Sequence, residues 1–143
     1  RAFGTSPGRA VVMATLRTYD EDLLEELKHK CLTIAEKNAD TYELDVSHEW
    51  VEPFPVTRNT DDAVVFIRDA ASTLDLKIEE KEHPFSWSED FGHFTSQTKG
   101  AMFGLGAGTD QPALHAEQYD FPDDLIPTGV SAFIQIITEI TSK

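Results

Sequence analysis

Cysteine is almost missing from this sequence. Among 143 residues there is one, Cys31, which excludes an internal disulfide framework and any cysteine-rich zinc module. The cytoplasm is the expected location. Positive charge is also scarce: 12 Lys+Arg stand against 26 Asp+Glu, a formal net charge of −14. Nucleic acid and anionic membrane surfaces would repel such a chain, so neither is expected as a partner. No apolar run approaches the ~18 residues that a membrane span needs. Internal repeats, low-complexity tracts and a visible targeting segment are absent too. The first residue is Arg1 rather than methionine, and the chain is expected to be cut out of something longer.

What is present is an ordinary globular mixture, 40% hydrophobic and 27% charged, in a length that suits one modal domain or two small pieces of a larger one. Residues 9–19 (R-A-V-V-M-A-T-L-R-T-Y) are apolar and β-branched after Pro7-Gly8, which predicts a strand. A helix is expected next. Thr18-x-x-Glu21 has capping-box form, with Asp20 as a rival N-cap. Leu23, Leu24, Leu27, Cys31, Ile34 and Ala35 then recur at helical spacing as far as Asn38-Ala39-Asp40. From Tyr42 to Val51 the pattern alternates and predicts a second strand, with Tyr42, Leu44, Val46 and Trp50 on one face. Strand, helix and strand over 9–52 suit a parallel β-α-β crossover.

Pro53-Phe54-Pro55 marks a linker. Beyond it the pattern predicts a helix over 60–74, a short strand over 76–80, a short helix opened by Ser88-Glu89-Asp90, and a buried strand over 101–105. The last predicted helix runs from Pro127 to Ile140, with Val130, Phe133, Ile134, Ile137 and Ile140 buried. The expected fold is therefore mixed α/β.

The residues that could carry chemistry are few. None of the five histidines forms an H-x-x-x-H pair. His29 lies one turn from Glu25 and Glu26 and reads as a solvated charge pair. His48 belongs to a sheet rim, His83 precedes Pro84 in a loop, and His93 reads as a surface helix position. His115 is more informative, because it follows a glycine-rich loop at the end of a predicted strand, where α/β sites assemble. Taken alone it is either a hydrogen-bonded structural imidazole or one metal ligand; zinc wants about four. Glu89-Asp90 after Ser88 reads as a helix cap or as part of a site. Gly104 to Gly108 is not a G-x-G-x-x-G, and it forms either a plain turn or a backbone lining a site. Arg17, near the end of an apolar strand, pairs with an acid or clamps an anionic ligand.

Four segments in order carry a family resemblance: S-E-D-F-G-H-F (88–94), A-M-F-G-L-G-A-G (101–108), L-H-A-E-Q-Y-D-F (114–121) and L-I-P-T-G (125–129). Together they resemble the C-terminal end of the dinuclear-zinc peptidases and amidohydrolases, a family that includes aminoacylase, hippurate hydrolase, the auxin-conjugate hydrolases and succinyl-diaminopimelate desuccinylase. P-G-R-A-V-V-M-A-T-L-R-T-Y-D (7–20) is similar to the strand that re-enters the family's lid, or dimerisation, domain.

The resemblance implies half of a ferredoxin-like lid in residues 1–57 and the C-terminal segment of the catalytic domain in 58–143. It implies that His115 is the last protein ligand of a zinc pair, or of another divalent metal in its place. Arg17 would grip the substrate carboxylate. Ser88, Glu89, Gly104 and Gly106 would line the substrate pocket, and Asn59 would act beside them. Two positions depart from the family's pattern: Gly4 stands where asparagine is frequent, and Trp87 where a small residue is common. The other metal ligands and the general base would lie upstream. The implied function is thus a fragment of a zinc-dependent hydrolase acting on N-acyl amino acids or small peptides, inactive by itself and weak or empty in zinc, with a homodimer formed through the lid. The alternative is a non-catalytic dimerisation or association module.

Overall fold

The computed structural model describes residues 3–87 and 89–142. The chain divides into two units, Arg1–Pro53 and Phe54–Lys143. The described residues form four helices: α1 (Glu21–Thr41), α2 (Asp61–Thr73), α3 (Gly92–Thr95) and α4 (Leu125–Thr141).

In the first unit α1 begins where the sequence provides a cap. The Leu23 N–H donates to Asp20 Oδ1 at 2.9 Å, and Glu21 and Asp22 place negative charge at the positive end of the helix. Thr18 does not form the capping box; its hydroxyl donates to Asp20 O instead. The helix ends at Thr41 in a Schellman motif. Leu44 N–H donates to Ala39 O at 2.9 Å, and Glu43 N–H to Asp40 O, with Glu43 at φ +54°. Ala39 is the buried residue of this helix. Lys28 lies over the Trp50 ring at 5.1 Å, which brings the segment after α1 back beside it.

In the second unit α2 ends in the same motif. Leu76 N–H donates to Ala71 O at 2.8 Å, and Asp75, at φ +53°, donates to Ser72 O. α2 packs against α4, and the buried positions of these two helices are small, Ala70 and Ala132. The four-residue α3 sits close against the chain before α2. A Cβ on Gly92 would meet Pro55 O at 2.1 Å.

The expected α/β fold with a ferredoxin-like β-α-β layer is not formed. Among the described residues there are helices and no strand or sheet. The segments at 9–19, 42–51, 76–80 and 101–105 have the composition of strands, yet a strand exists through hydrogen bonds to a neighbour, and no two of these segments pair. In the first of them most apolar side chains stay in solvent, Val12 at 92% and Met13 at 89% exposure, whereas Leu76, Met102 and Phe103 are half-buried. The expected buried stripe of α4 is likewise open, with Phe133, Ile134 and Ile137 at 60–61%. Its periodicity is that of a helix with one apolar face, but α2 covers only part of its circumference.

Candidate functional site

Seven residues were singled out by the sequence. Arg17 belongs to the first unit, where it is exposed. Asn59, Ser88, Glu89, Gly104, Gly106 and His115 belong to the second. Ser88 lies outside the described residues.

His115 occupies an exposed turn in which Ala116 N–H donates to Ala113 O at 3.0 Å. Its own φ is +68°. Asn, Asp and His enter this left-handed region more readily than other L-residues, and Glu43, Glu52 and Asp75 also stand at positive φ. Gly108, seven residues earlier, also has a positive φ, +95°.

The glycine loop is held at one end and open at the other. Gly104 faces the edge of Phe85, whose ring would stand 2.9 Å from a Cβ there, while a Cβ on Gly106 would meet nothing within 4 Å. Leu105 reaches toward Gly129 of α4, and Phe103 packs on Phe133 with ring centroids 5.8 Å apart. Phe85 in turn is stacked on Trp87 at 4.1 Å and 5°, with Lys81 5.3 Å above its ring. The i, i+2 spacing of Phe85 and Trp87 puts both rings on one side of an extended chain.

Asn59 has a definite geometry. Its Nδ2 donates to Met102 O at 2.9 Å, and Met102 N–H donates to its Oδ1 at 2.9 Å. Next to it, Thr60 N–H donates to Gly100 O at 2.9 Å. Two residues further on, Asp62 in the first turn of α2 pairs with the Lys99 ammonium, which holds that carboxyl below its usual range.

Glu89 is exposed and lies outside the first turn of α3, whose N-cap is Phe91 without a side-chain hydrogen bond; the expected cap, Ser88, lies outside the described residues. The remaining histidines are structural neighbours of aromatics or of solvent. His93 meets Phe54 edge-on at 6.3 Å and His48 meets Trp50 at 6.2 Å. The carboxylates expected beside His29 pair with lysines instead, Glu25 with Lys28 and Glu26 with Lys30.

No group of three His, Cys, Asp or Glu side chains that could hold a metal gathers among the described residues. His115 offers one nitrogen, and by themselves these residues do not make a zinc site. An open hollow of about 260 Å³ lies at the end of α2, lined by Leu74, Leu76, Pro127, Thr128 and Ser131, none of them a residue singled out above. Among the described residues no helix is long and apolar enough to cross a membrane.

Residues 3–139 match peptidase family M20/M25/M40. An uncharacterized hydrolase of Staphylococcus aureus (strain bovine RF122 / ET3-1) is 32% identical over 102 residues, 71% of this chain and 27% of its own length. One from Staphylococcus aureus (strain USA300) matches to the same extent. An uncharacterized hydrolase of Staphylococcus epidermidis is 28% identical over 142 residues, 95% of this chain and 37% of its own length. The chain thus spans between about a quarter and two fifths of the relatives it matches. No solved structure matches it.

Proposed function

The chain belongs to peptidase family M20/M25/M40, and from that premise we propose that it is part of a hydrolase that cleaves the amide or peptide bond of N-acyl amino acids or small peptides. Zinc is the metal this reading implies, and His115 is the donor that residues 3–142 would contribute to it. Arg17 would receive the substrate carboxylate as a bidentate fork. Glu89 and the backbone at Gly104 and Gly106 would line the pocket, with Ser88 beside them. The whole protein would be cytoplasmic and would associate as a homodimer through the part that contains residues 1–57; residues 58–143 would belong to the catalytic part.

The observation that carries the reading is the family match, which spans residues 3–139 and so includes His115. The test is His115→Ala in a polypeptide of the relatives' full length. Elemental analysis should find one metal fewer per chain, and hydrolysis of an N-acetyl amino acid should fall by ~10-fold or more. Unchanged metal content and turnover would remove His115 from the site.

A further inference from the structure

Asn59 does for Met102 what a neighbouring strand would do. In an antiparallel ladder, two facing residues exchange both N–H···O bonds. A side-chain amide carries the same donor and acceptor. Here Nδ2 donates to Met102 O and Oδ1 accepts from Met102 N–H, both at 2.9 Å, across 43 residues of sequence. The segment that receives this rung is apolar and strand-like, yet it has no strand beside it among the described residues.

The rung is the centre of a short seam. Thr60 N–H and Oγ1 both donate to Gly100 O, at 2.9 and 3.3 Å. Lys99 pairs with Asp62. Residues 59, 60 and 62 at the start of α2 are therefore stitched to 102, 100 and 99 in reverse order, so the seam runs antiparallel. Two residues beyond the rung the chain becomes the loop Gly104 to Gly108, and His115 follows. Phe103 on Phe133 and Leu105 near Gly129 hold the side chains of this stretch. Apolar contact is not directional and constrains the backbone register loosely. The amide rung constrains it sharply, since a slip of one residue would leave both of its bonds unmade.

We infer that Asn59 is a positioning residue: its amide fixes the register of residues 100–103 and thereby the placement of the Gly104–Gly108 loop, and it is not a substrate contact. The consequence for catalysis rests on the function proposed above; the consequence for structure does not.

Two measurements separate them. Amide hydrogen exchange on this chain reads the rung directly. Asn59→Ala should accelerate exchange of the Met102 N–H by about tenfold or more while the interiors of α2 and α4 keep their protection. Asn59→Asp presents a carboxylate to Met102 O and should lose protection at neutral pH. As the pH falls below about 4 the acid gains an O–H donor, and Met102 protection relative to α2 should return. Unchanged Met102 protection in both variants would overturn the inference, and so would loss spread equally over α2 and α4 in both.

The second measurement uses a polypeptide of the relatives' full length and an N-acetyl amino acid. Asn59→Ala should lower kcat by ~10- to 100-fold with KM nearly unchanged, as misplacement does. A raised KM with kcat intact would make Asn59 a substrate contact instead. If the unaltered polypeptide hydrolyses nothing, the hydrolase reading falls, and the exchange result still decides the role of Asn59.

Discussion

Single residues govern this molecule where backbone meets backbone. Gly92 is the sharpest instance. A Cβ there would stand 2.1 Å from Pro55 O and 2.8 Å from its carbonyl carbon, and a backbone atom cannot swing aside as a side-chain tip can. Gly92→Ala should therefore destabilise the second unit by about 1–3 kcal/mol or more, the range for overpacking a close contact. A fall in the denaturant midpoint checks it, and an unchanged midpoint would mean that α3 can move away freely. His115 is the reverse case, a side chain kept at φ +68° where glycine would be comfortable. The sequence marked it by motif, but left-handed backbone at a histidine has no pattern that spacing can reveal. Asn59 was marked as a pocket residue. Its rung to Met102 was illegible, because nothing local says that residues 43 apart will meet.

At the scale of elements, the helices follow local rules. Asp20, the rival of the Thr18 capping box, is the residue that caps α1. Pro127 lies in the first turn of α4, where its missing N–H is harmless. The C-terminal ends were harder to place. α1 and α2 both close with Schellman motifs around Glu43 and Asp75, residues that carry the αL geometry without being glycine. Glycine at either position removes the Cβ clash at some cost in chain entropy. Glu43→Gly should stabilise α1 by about 0.5–1 kcal/mol, read as an increase in helical thermal stability by circular dichroism, and Asp75→Gly should act similarly on α2.

The first turn of α2 also carries a pH prediction. A hydrogen bond from Lys99 holds the Asp62 carboxyl below 3.8, and the same bond raises Lys99 above 10.5. For Asp62 the folded value is the lower one, so its contribution is present above 3.8 and is lost as pH falls through the depressed value. For Lys99 the contribution is present below 10.5 and is lost as pH rises through the raised value. The pair is in solvent, so the effect is small and salt-sensitive. The denaturation midpoints of the wild type and Asp62→Asn should differ at pH 7 and converge well below pH 3.8 or in high salt. A difference that persists in acid would show that the aspartate acts through something other than its charge.

At the scale of the molecule, much apolar surface of the described residues remains in water. Val130, Phe133, Ile134, Ile137 and Ile140 of α4 are 52–61% exposed, and among the described residues the buried hydrophobic ones are alanines: Ala39, Ala70 and Ala132. A soluble monomer's largest apolar patch is ordinarily a few hundred Å². A dye such as ANS should therefore bind this chain strongly, and Ile134→Glu with Ile137→Glu should cut the fluorescence gain by about half or more. Weak dye binding by the unaltered chain would mean that this face is covered in solution.

The sequence by itself determined the helices α1, α2 and α4 and the family resemblance. Each depends on residues within a turn or two of one another, or on short motifs in order. Tertiary structure alone decided what became of the strand-like segments and of the apolar stripes. The apolar, β-branched run at 9–19 and the alternation at 42–51 state a preference for a sheet, but a ladder needs a second edge, and the described residues provide none. The stripe of α4 states that one face seeks cover, and α2 covers only part of it. A local pattern can specify which atoms want a partner. Whether the partner is present is a property of the surrounding chain.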